Sequence, residues 1–524
     1  MKVGVVVCCA VLVGALALPS GAVGAPRAHR VLRVGSFHGR PGQFRSIQSA
    51  IDAARPGDWV LVGPGDFHER GDLSRRPRDE AGAGVLITTP GIHLRGMDRN
   101  RVVVDGTRSG AARCSRRKRD QATGPRDRKG KPLGRNGIEV LEADGVTVEN
   151  LTACNFLEGA GGGGNQIWFN GGDGSGRIGM GRYAGRYLSA TSTFYANAKA
   201  PAASYGIFVS NAAGPGRIER SYGSNMNDAA FYVGACRDCN AVLARVHAQF
   251  SVLGYSGTNS GGHLVLENSE WDHNQAGIVT NSQNNDDAPS PQLGSCPHSV
   301  RSCTVFRANF VHDNNNPDVP AAGTAALGPV GTGIVVAGGR YDTLLRNRIE
   351  GNGAWGVLLV PYPDDAEPPP IAHCQGGVPG GNGFRCFFDD WGNRVLSNRF
   401  AHNGFFANPT NGDLGEISGA HSIGNCYARN SDAAGLTSTP AVVETTAGAC
   451  GAPNAGEPLT SALTAQVICA TQLLGSCPPA PGRSYPRTTR VRMPALRRQA
   501  TIPDPCRSVP ANPWCPARRP HLAG

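Results

Sequence analysis

The sequence has few of the features by which enzymes are commonly recognised. Helix-favouring patterns are nearly absent, and aromatic residues make up only 6% of the chain. No P-loop, serine-protease or zinc-ligand spacing stands out, so the common motifs do not assign a reaction. Basic residues are not interleaved with aromatic ones, which argues against nucleic acid as a partner. The chain is rich in glycine instead, with 72 residues, which suits tight corners between short strands.

A short apolar strand that begins at a small residue returns at a near-constant interval of about 24 residues. These strands begin near Gly206, Ala230, Gly254 and Gly277 and, after an insertion, near Gly333 and Gly356. The patterning within each unit is that of a strand rather than a helix. A fixed period of this length predicts one stacked solenoid with a continuous core, not a series of independent domains.

A second repeated motif, N-x-apolar-x-x-N, begins at Asn309, Asn347 and Asn398, with a variant at Ser269. Asparagine tolerates the left-handed corner conformation, and its amide can bond to the same amide one turn above and below. The recurrence favours a structural role for these side chains over a catalytic one.

The helix expected from Ser46 to Ala54, the strand that follows it and the repeated turns resemble the right-handed parallel β-helix proteins of the pectin-lyase-like superfamily. The resemblance covers residues 40–445. It implies an all-β fold, a single-stranded right-handed parallel β-helix with short capping helices. It also implies a place among polysaccharide lyases, hydrolases, esterases, epimerases or non-catalytic binding proteins, because the motifs are specific for fold and not for activity.

The domain organisation follows from the limits of the repeat. Residues 1–25 read as a signal peptide, with a basic start, an apolar run and a small-residue cleavage site. Residues 26–445 form the predicted β-helix, with insertions at 113–135, 281–303, 315–331 and 361–391. Residues 446–477 are expected to cap the far end with a short helix, and residues 478–524 to form a disordered Pro/Arg-rich tail.

The charge distribution and the number of cysteines indicate the compartment in which the protein resides. The formal net charge of +11 is concentrated in the insertion 113–135 and in the tail, so the solenoid itself is mildly acidic. Fourteen cysteines follow residue 25, an even number that favours disulfides in an exported chain. Neighbouring cysteines are the expected pairs: Cys114–Cys154, Cys236–Cys239, Cys296–Cys303, Cys374–Cys386, Cys426–Cys450, Cys469–Cys477 and Cys506–Cys515. We therefore expect a secreted, extracellular or periplasmic monomer.

Two of the insertions are the predicted walls of a cleft. Residues 281–303 and 361–391 follow equivalent strands two turns apart, so their bases should lie about 10 Å from each other. Both are rich in carboxylates, which serve acid/base chemistry on glycosidic bonds or bind Ca²⁺. The candidate catalytic residues are Asp286, Asp287, Asp389 and Asp390. The candidate substrate-binding residues are Arg340, Tyr341, Tyr362 and Trp391, and Asp364 and Asp365 are candidate Ca²⁺ ligands.

Two functions remain open at this point. One is a lyase or hydrolase that acts on a uronate-containing extracellular polysaccharide, and the other is a non-catalytic adhesion or carbohydrate-binding module. The G-H-G and R-I-K motifs of polygalacturonase-like proteins and the D-P-H-D motif of alginate epimerases are absent. Trp271-Asp272-His273 resembles a motif of some pectate lyases, but it lies at the repeat's own corner position and is interpreted as structural.

Overall fold

In a computed structural model of the chain, the described residues are 29–70, 80–173, 175–194, 201–282, 303–320, 328–363, 376–380, 383–417, 424–445, 461–470 and 498–517, together with residues 296, 325, 450, 495 and 496. The signal-peptide prediction for residues 1–25 lies outside them.

Three long parallel sheets, called sheets 1, 2 and 3 in the order in which each turn visits them, form the fold. Sheet 1 contains Val31–Val34, Trp59–Val62, His93–Gly96, Val146–Glu149, Tyr183–Arg186, Gly216–Glu219, Ala241–Ala244, Leu264–Glu267, Thr304–Arg307, Thr343–Leu345, Arg394–Leu396 and Cys426–Ala428. Sheet 2 contains Gly65–Phe67, Val102–Asp105, Thr152–Cys154, Ser189–Thr191, Tyr222–Ser224, His247–Gln249, Glu270–Asp272, Phe310–His312, Arg348–Glu350, Arg399–Ala401 and Ser431–Asp432. Sheet 3 contains Gly82–Ile87, Arg135–Leu141, Ile167–Asn170, Tyr205–Ser210, Ala229–Gly234, Leu253–Thr258, Ala276–Asn281, Thr332–Ala337, Trp355–Val360, Gly412–Glu416 and Ser438–Thr439.

After the first strand of sheet 1, Val31–Val34, each turn contributes one strand to each sheet, and neighbouring turns pair in parallel. The predicted right-handed parallel β-helix is therefore confirmed, in line with the handedness of nearly all parallel crossovers. Along sheet 3, Ile167 pairs with Ile207, and Ile207 pairs with Phe231. These inward-facing residues belong to one continuous apolar core that follows the whole solenoid. The residues between them point outward, because side chains alternate along a strand.

Asparagine ladders run along the corners, as the repeated motif predicts. One ladder contains Asn309, Asn347, Asn398 and Asn430, and another contains Asn274, Asn314, Asn352 and Asn403. One detail of the prediction is wrong. The left-handed conformation belongs to the residue before the ladder asparagine, for example Arg346 (φ 54°) before Asn347. The asparagine is needed for its buried amide, which bonds to neighbouring turns.

Two α-helices accompany the solenoid. Helix α1 spans Ile47–Ala53 and is capped by the Ser46 side chain. Its residues Ile47, Ala50 and Ile51 pack into the core at the first turn, as expected for a cap. Helix α2 spans Ser461–Ala470. It packs through Leu463 on the outer face of sheet 3. The sequence had suggested instead that this helix covers the far end of the solenoid.

The Pro/Arg-rich tail is not disordered over residues 498–517, in contrast to the prediction. Trp514 and Cys515 pack against Trp59, Leu61 and Met97 on the outer face of sheet 1. Proline and arginine give this segment no core of its own, so its apolar residues find a partner at the opposite end of the chain.

Polar contacts hold the same segment in place. Arg99 donates to the carbonyl oxygen of Ala500 at 3.0 Å, and Arg95 donates to that of Arg507 at 2.8 Å. The side chain of Asn150 accepts from the Thr501 hydroxyl at 2.7 Å. These bonds satisfy backbone groups that an extended segment without a sheet partner would otherwise leave to water.

Five of the seven predicted disulfides are present in the described part of the chain: Cys114–Cys154, Cys236–Cys239, Cys296–Cys303, Cys426–Cys450 and Cys506–Cys515. The predicted Cys374–Cys386 and Cys469–Cys477 pairs each include a residue that lies outside it. The first bond anchors the basic insertion 113–135 to sheet 2. In the described residues no helix is both long enough and apolar enough to cross a membrane.

Candidate functional site

The structure brings four of the predicted site residues together where sheet 3 turns into sheet 1. Arg340 donates from Nε to the carbonyl oxygen of Asp389 at 2.9 Å. Its guanidinium carbon lies 4.8 Å from the centre of the Trp391 ring, and the Tyr341 ring lies 5.2 Å from that ring. Arg340 is only 3% exposed, and burial lowers its pKa to about 10. The cluster lies at the base of the insertion 361–391. Tyr362 lies in the short strand Tyr362–Pro363, where it pairs with Phe388.

Asp390 faces the interior of the solenoid and is fully buried. Burial, followed by the negative charge of Glu416, raises the pKa of its carboxyl well above the usual value. Asn425 donates to its Oδ2 atom at 3.0 Å. The Asp390 carboxyl therefore does not face the surface in the described residues, and its expected catalytic role stays a prediction.

The remaining predicted carboxylates, Asp286, Asp287, Asp364 and Asp365, lie outside the described residues. The strands before their two insertions, Ala276–Asn281 and Trp355–Val360, both pair with Thr332–Ala337. The two insertions therefore leave the same edge of sheet 3 two turns apart, as expected. A cleft shared by their carboxylates stays a prediction.

A different candidate site lies on the outer face of sheet 3, in earlier turns. Trp168 pairs with Phe208, and Phe208 pairs with Tyr232, on three successive strands. Together with Tyr205 these residues form what we call the aromatic platform. Because the three strands are in register, the alternation that sends Ile207 into the core sends Phe208 outward.

The rings of the aromatic platform are in mutual contact. Trp168 and Phe208 are stacked with centroids 5.1 Å apart, and Tyr205 and Phe208 are stacked at 4.3 Å. Tyr232 meets Phe208 edge-on at 4.8 Å. Trp168 donates from its indole nitrogen to the Ser210 hydroxyl at 3.0 Å, which fixes the plane of the ring. Trp168 and Phe208 are half-buried, so part of each ring faces solvent.

A carboxyl group lies directly beside the platform. The Tyr205 hydroxyl donates to Oδ2 of Asp228 at 2.8 Å. Burial raises the pKa of Asp228 to about 7; the Tyr205 hydrogen bond opposes this shift, and the negative charge of Glu158 adds to it. Near neutral pH, Asp228 is thus present both as an acid and as a base. A raised pKa in a group next to an exposed surface is typical of proton-transfer sites.

Glu158 is the second carboxyl of this site and is held by its own partners. Its two oxygens accept from Asn227 at 3.2 and 3.3 Å, and Oε2 also accepts from the Ser204 hydroxyl at 3.1 Å. Two carboxyls in unlike environments, one of them with a raised pKa, are the arrangement by which a site divides acid and base roles.

Among the described residues, the platform differs from other turns of sheet 3 in that its aromatic side chains Trp168 and Phe208 stay partly exposed. In later turns of the sheet, Val335, Trp355 and Leu358 pack under helix α2. Between these regions, Leu253 and Ala276 pack with Val319 of the insertion 315–331.

Sequence reasoning missed this site because its residues lie inside the repeat. Phe208 and Tyr232 were assigned to apolar strands without regard to the face on which they lie. One feature of the sequence could have revealed it. An aromatic residue that recurs at an outward-facing position of consecutive strands is not needed for the core.

Comparisons with known proteins find resemblance in structure and not in sequence. No protein-family model matches the chain, and no curated protein matches it. The A-module of mannuronan C-5 epimerase AlgE4 from Azotobacter vinelandii is similar at 15% identity, over 74% of this chain and 91% of that one, with a TM-score of 0.40. The Dettilon tailspike protein is similar at 13% identity, over 75% and 64% of the two chains, with a TM-score of 0.42. An alginate lyase from Paenibacillus sp. is similar at 15% identity, over 71% and 95%, with a TM-score of 0.32.

Proposed function

We propose that this chain is an exported protein that binds a polysaccharide along the outer face of sheet 3 and acts on it at Asp228. The observation that carries the proposal is the contact between the aromatic platform and the Tyr205–Asp228 pair. Sugar-binding surfaces need flat apolar area for the faces of the sugar rings and a few placed polar groups, and the platform offers both.

The spacing of the platform suits a chain of sugars. Trp168, Phe208 and Tyr232 come from successive turns, which stack at about 4.8 Å along the solenoid axis. A polymer that lies parallel to this axis meets Trp168 and Phe208 on neighbouring turns, while Tyr232, only 5% exposed, supports Phe208 from the next turn. Such a surface favours a long, repetitive ligand over a small molecule.

The chemistry follows from the two carboxyls. With its pKa raised to about 7, Asp228 supplies a proton to a glycosidic oxygen or removes one from a sugar carbon, and Glu158 is the second carboxyl of the site. Asp228 and Glu158 are both carboxyl groups. A uronate-containing glycan would accordingly need a bridging cation such as Ca²⁺, whereas a neutral glycan would not.

The proposal is tested by incubating the pure protein with neutral and uronate polysaccharides, the latter with and without Ca²⁺, and by measuring both binding and products. Trp168→Ala is expected to weaken binding at least tenfold. Phe405→Ala, which removes an exposed aromatic residue far along the chain, is the matched control and should bind as the wild type does. Asp228→Asn should retain binding and lose product formation.

The same experiment separates the two functions left open by the sequence. Binding that depends on Trp168, without products from any glycan, would favour a non-catalytic carbohydrate-binding module. Equal binding by the wild type and Trp168→Ala would refute the proposed surface. The five disulfides support the proposed export, because such bonds persist in oxidising compartments.

A further inference from the structure

A cluster of histidine and carboxylate side chains covers the outer face of sheet 2, away from the aromatic platform. Three strands carry it: His247–Gln249, Glu270–Asp272 and Phe310–His312. His247 pairs in register with Glu270, and Asp272 pairs with His312. The stacking of turns therefore places these four side chains side by side.

Asp272 is the centre of the cluster. Its carboxylate is only 3% exposed, and its Oδ1 atom lies 2.6 Å from Nε2 of His247. Its Oδ2 atom accepts from Nε2 of Gln249 at 2.7 Å and from Nδ1 of His273 in a short hydrogen bond. The Tyr222 hydroxyl in turn donates to Gln249 at 3.1 Å. Gln249 and His273 thus hold the Oδ2 atom, while the Oδ1 atom faces His247.

The histidine on the next strand, His312, also lies beside carboxylates. His312 lies with Nε2 3.3 Å from Oε1 of Glu270, and its Nδ1 atom is 2.8 Å from Oδ2 of Asp313. A carboxylate on one imidazole nitrogen is the usual support of a metal-binding histidine, and Asp313 takes that place on His312 while the other nitrogen faces Glu270.

We propose that His247, Glu270 and Asp272 bind a transition-metal ion such as Zn²⁺, with His312 next to the open position. The donor atoms of the three residues all lie within 4.8 Å of one another. Donors on a tetrahedral zinc ion, each about 2.0–2.2 Å from the metal, are separated by about 3.4 Å. Small side-chain rotations would bring the three atoms to that distance.

The ligand types decide the class of ion. An imidazole nitrogen with two carboxylates suits zinc and its first-row neighbours, whereas Ca²⁺ and Mg²⁺ prefer oxygen ligands alone. Two carboxylates also balance the charge of a divalent ion, which would replace the proton between His247 and Asp272. Solvent reaches the site, because the side chains of His247 and Glu270 are 31% and 46% exposed.

The proposal corrects the interpretation of Trp271-Asp272-His273 as purely structural. Trp271 is a core residue, as expected, with no exposed surface. Asp272 and His273 follow it onto the outer face. No zinc-ligand spacing is visible in the sequence because the ligands are separated by the solenoid period and not by a local turn.

Isothermal titration of the untagged full chain with ZnCl₂, after treatment with EDTA and buffer exchange, tests the proposal. We expect one Zn²⁺ per chain. His247→Gln and Asp272→Asn should each weaken binding at least about 10-fold, because losing a supporting partner of a ligand already costs about 10–100-fold. His263→Gln is the matched control, since His263 forms an exposed pair with Asp238 at 3.0 Å outside the cluster.

Three results would overturn the proposal: no zinc binding by the wild type, unchanged affinity in both cluster variants, or an equal loss in His263→Gln. Competition by Ca²⁺ at similar concentration would contradict the assignment to a nitrogen-containing site. If Asp272→Asn does not fold, the exposed His247→Gln variant decides alone, with its thermal melting curve as the folding control. Glycan binding by His247→Gln should be unchanged, because the aromatic platform lies on another sheet.

Discussion

The backbone amide and the side-chain amide of Asn309 both donate to the same oxygen of Asn347, at 3.0 and 3.1 Å. Asn347 makes the same pair of bonds to Asn398, at 2.9 and 3.0 Å. Each ladder asparagine thus satisfies two donors of the turn before it. Hydrogen bonds between turns therefore hold the corner. A residue within the same turn cannot replace them.

Asn347→Ala is expected to lower the free energy of unfolding by about 1–3 kcal/mol, because it leaves buried donors of Asn309 without their acceptor. Chemical denaturation measures the change. Arg346→Ala, at the exposed neighbouring position, is the control and should have little effect. Glycan binding by the folded Asn347→Ala protein should be normal; lost binding at unchanged stability would instead assign this asparagine to the site.

Trp514→Ala should release the C-terminal segment from sheet 1. The side chain is 5% exposed and donates to the carbonyl oxygen of Arg40 at 3.0 Å. Removal of a buried tryptophan costs about 3–5 kcal/mol. Limited trypsin digestion followed by mass spectrometry should show faster cleavage after Arg498 and Arg507 in the variant. Equally fast cleavage of the wild-type protein at these sites would contradict the packed segment.

Asp228 should make stability depend on pH. Its folded-state pKa of about 7 lies above the ordinary value of 3.8, so the folded protein holds the proton more tightly than the unfolded chain does. This contribution to stability is complete below pH 4 and is lost as the pH rises to about 7. Asp228→Asn should therefore lose less stability than the wild type between pH 4 and pH 7 in thermal melts. Asp52→Asn, at an exposed carboxyl, should follow the wild type.

Asp390→Asn should leave folding and glycan products unchanged at pH 7. Burial raises the pKa of the Asp390 carboxyl well above its usual value, which favours the uncharged acid, and an amide of the same shape replaces that form without loss of charge. Product analysis and thermal melting of the variant provide the test. Loss of products in a normally folded Asp390→Asn protein would support the catalytic role that the sequence had suggested.

The exported protein should contain at most one free thiol. Seven neighbouring pairs account for all fourteen cysteines after residue 25, and five of the pairs are present in the described residues. Alkylation without reductant, followed by intact-mass measurement, counts the free thiols. Four or more modified cysteines would show that the pairing is wrong.

The fold was predictable because its causes are repeated. The apolar strand that contains Ile207 recurs with Phe231 and Ile278, and the corner asparagines recur in step, so each unit supports the interpretation of the others. The packing of α2 and of the tail was not predictable, since a segment used once has no second copy to reveal its partner. Leu463 indicates an apolar face but not the surface that it covers.

The site was harder to predict than the fold because function depends on which face a residue occupies. Asp390 follows Asp389 directly, yet it points into the core. Phe208 follows Ile207, yet it points outward. A carboxylate-rich loop was a reasonable choice from composition, whereas the raised pKa of Asp228 arises from burial and from the negative charge of Glu158, which is distant in sequence.

The contacts of residues 498–517 with Trp59, Arg95 and Asn150 also set an order of events in folding. The segment that leaves the ribosome late completes the surface of turns that leave it early. Until that segment arrives, the first turns expose Trp59 and Leu61 on an unfinished face. Full protection of these turns from hydrogen exchange should accordingly be the final step of folding, even though the repeat itself can grow one turn at a time.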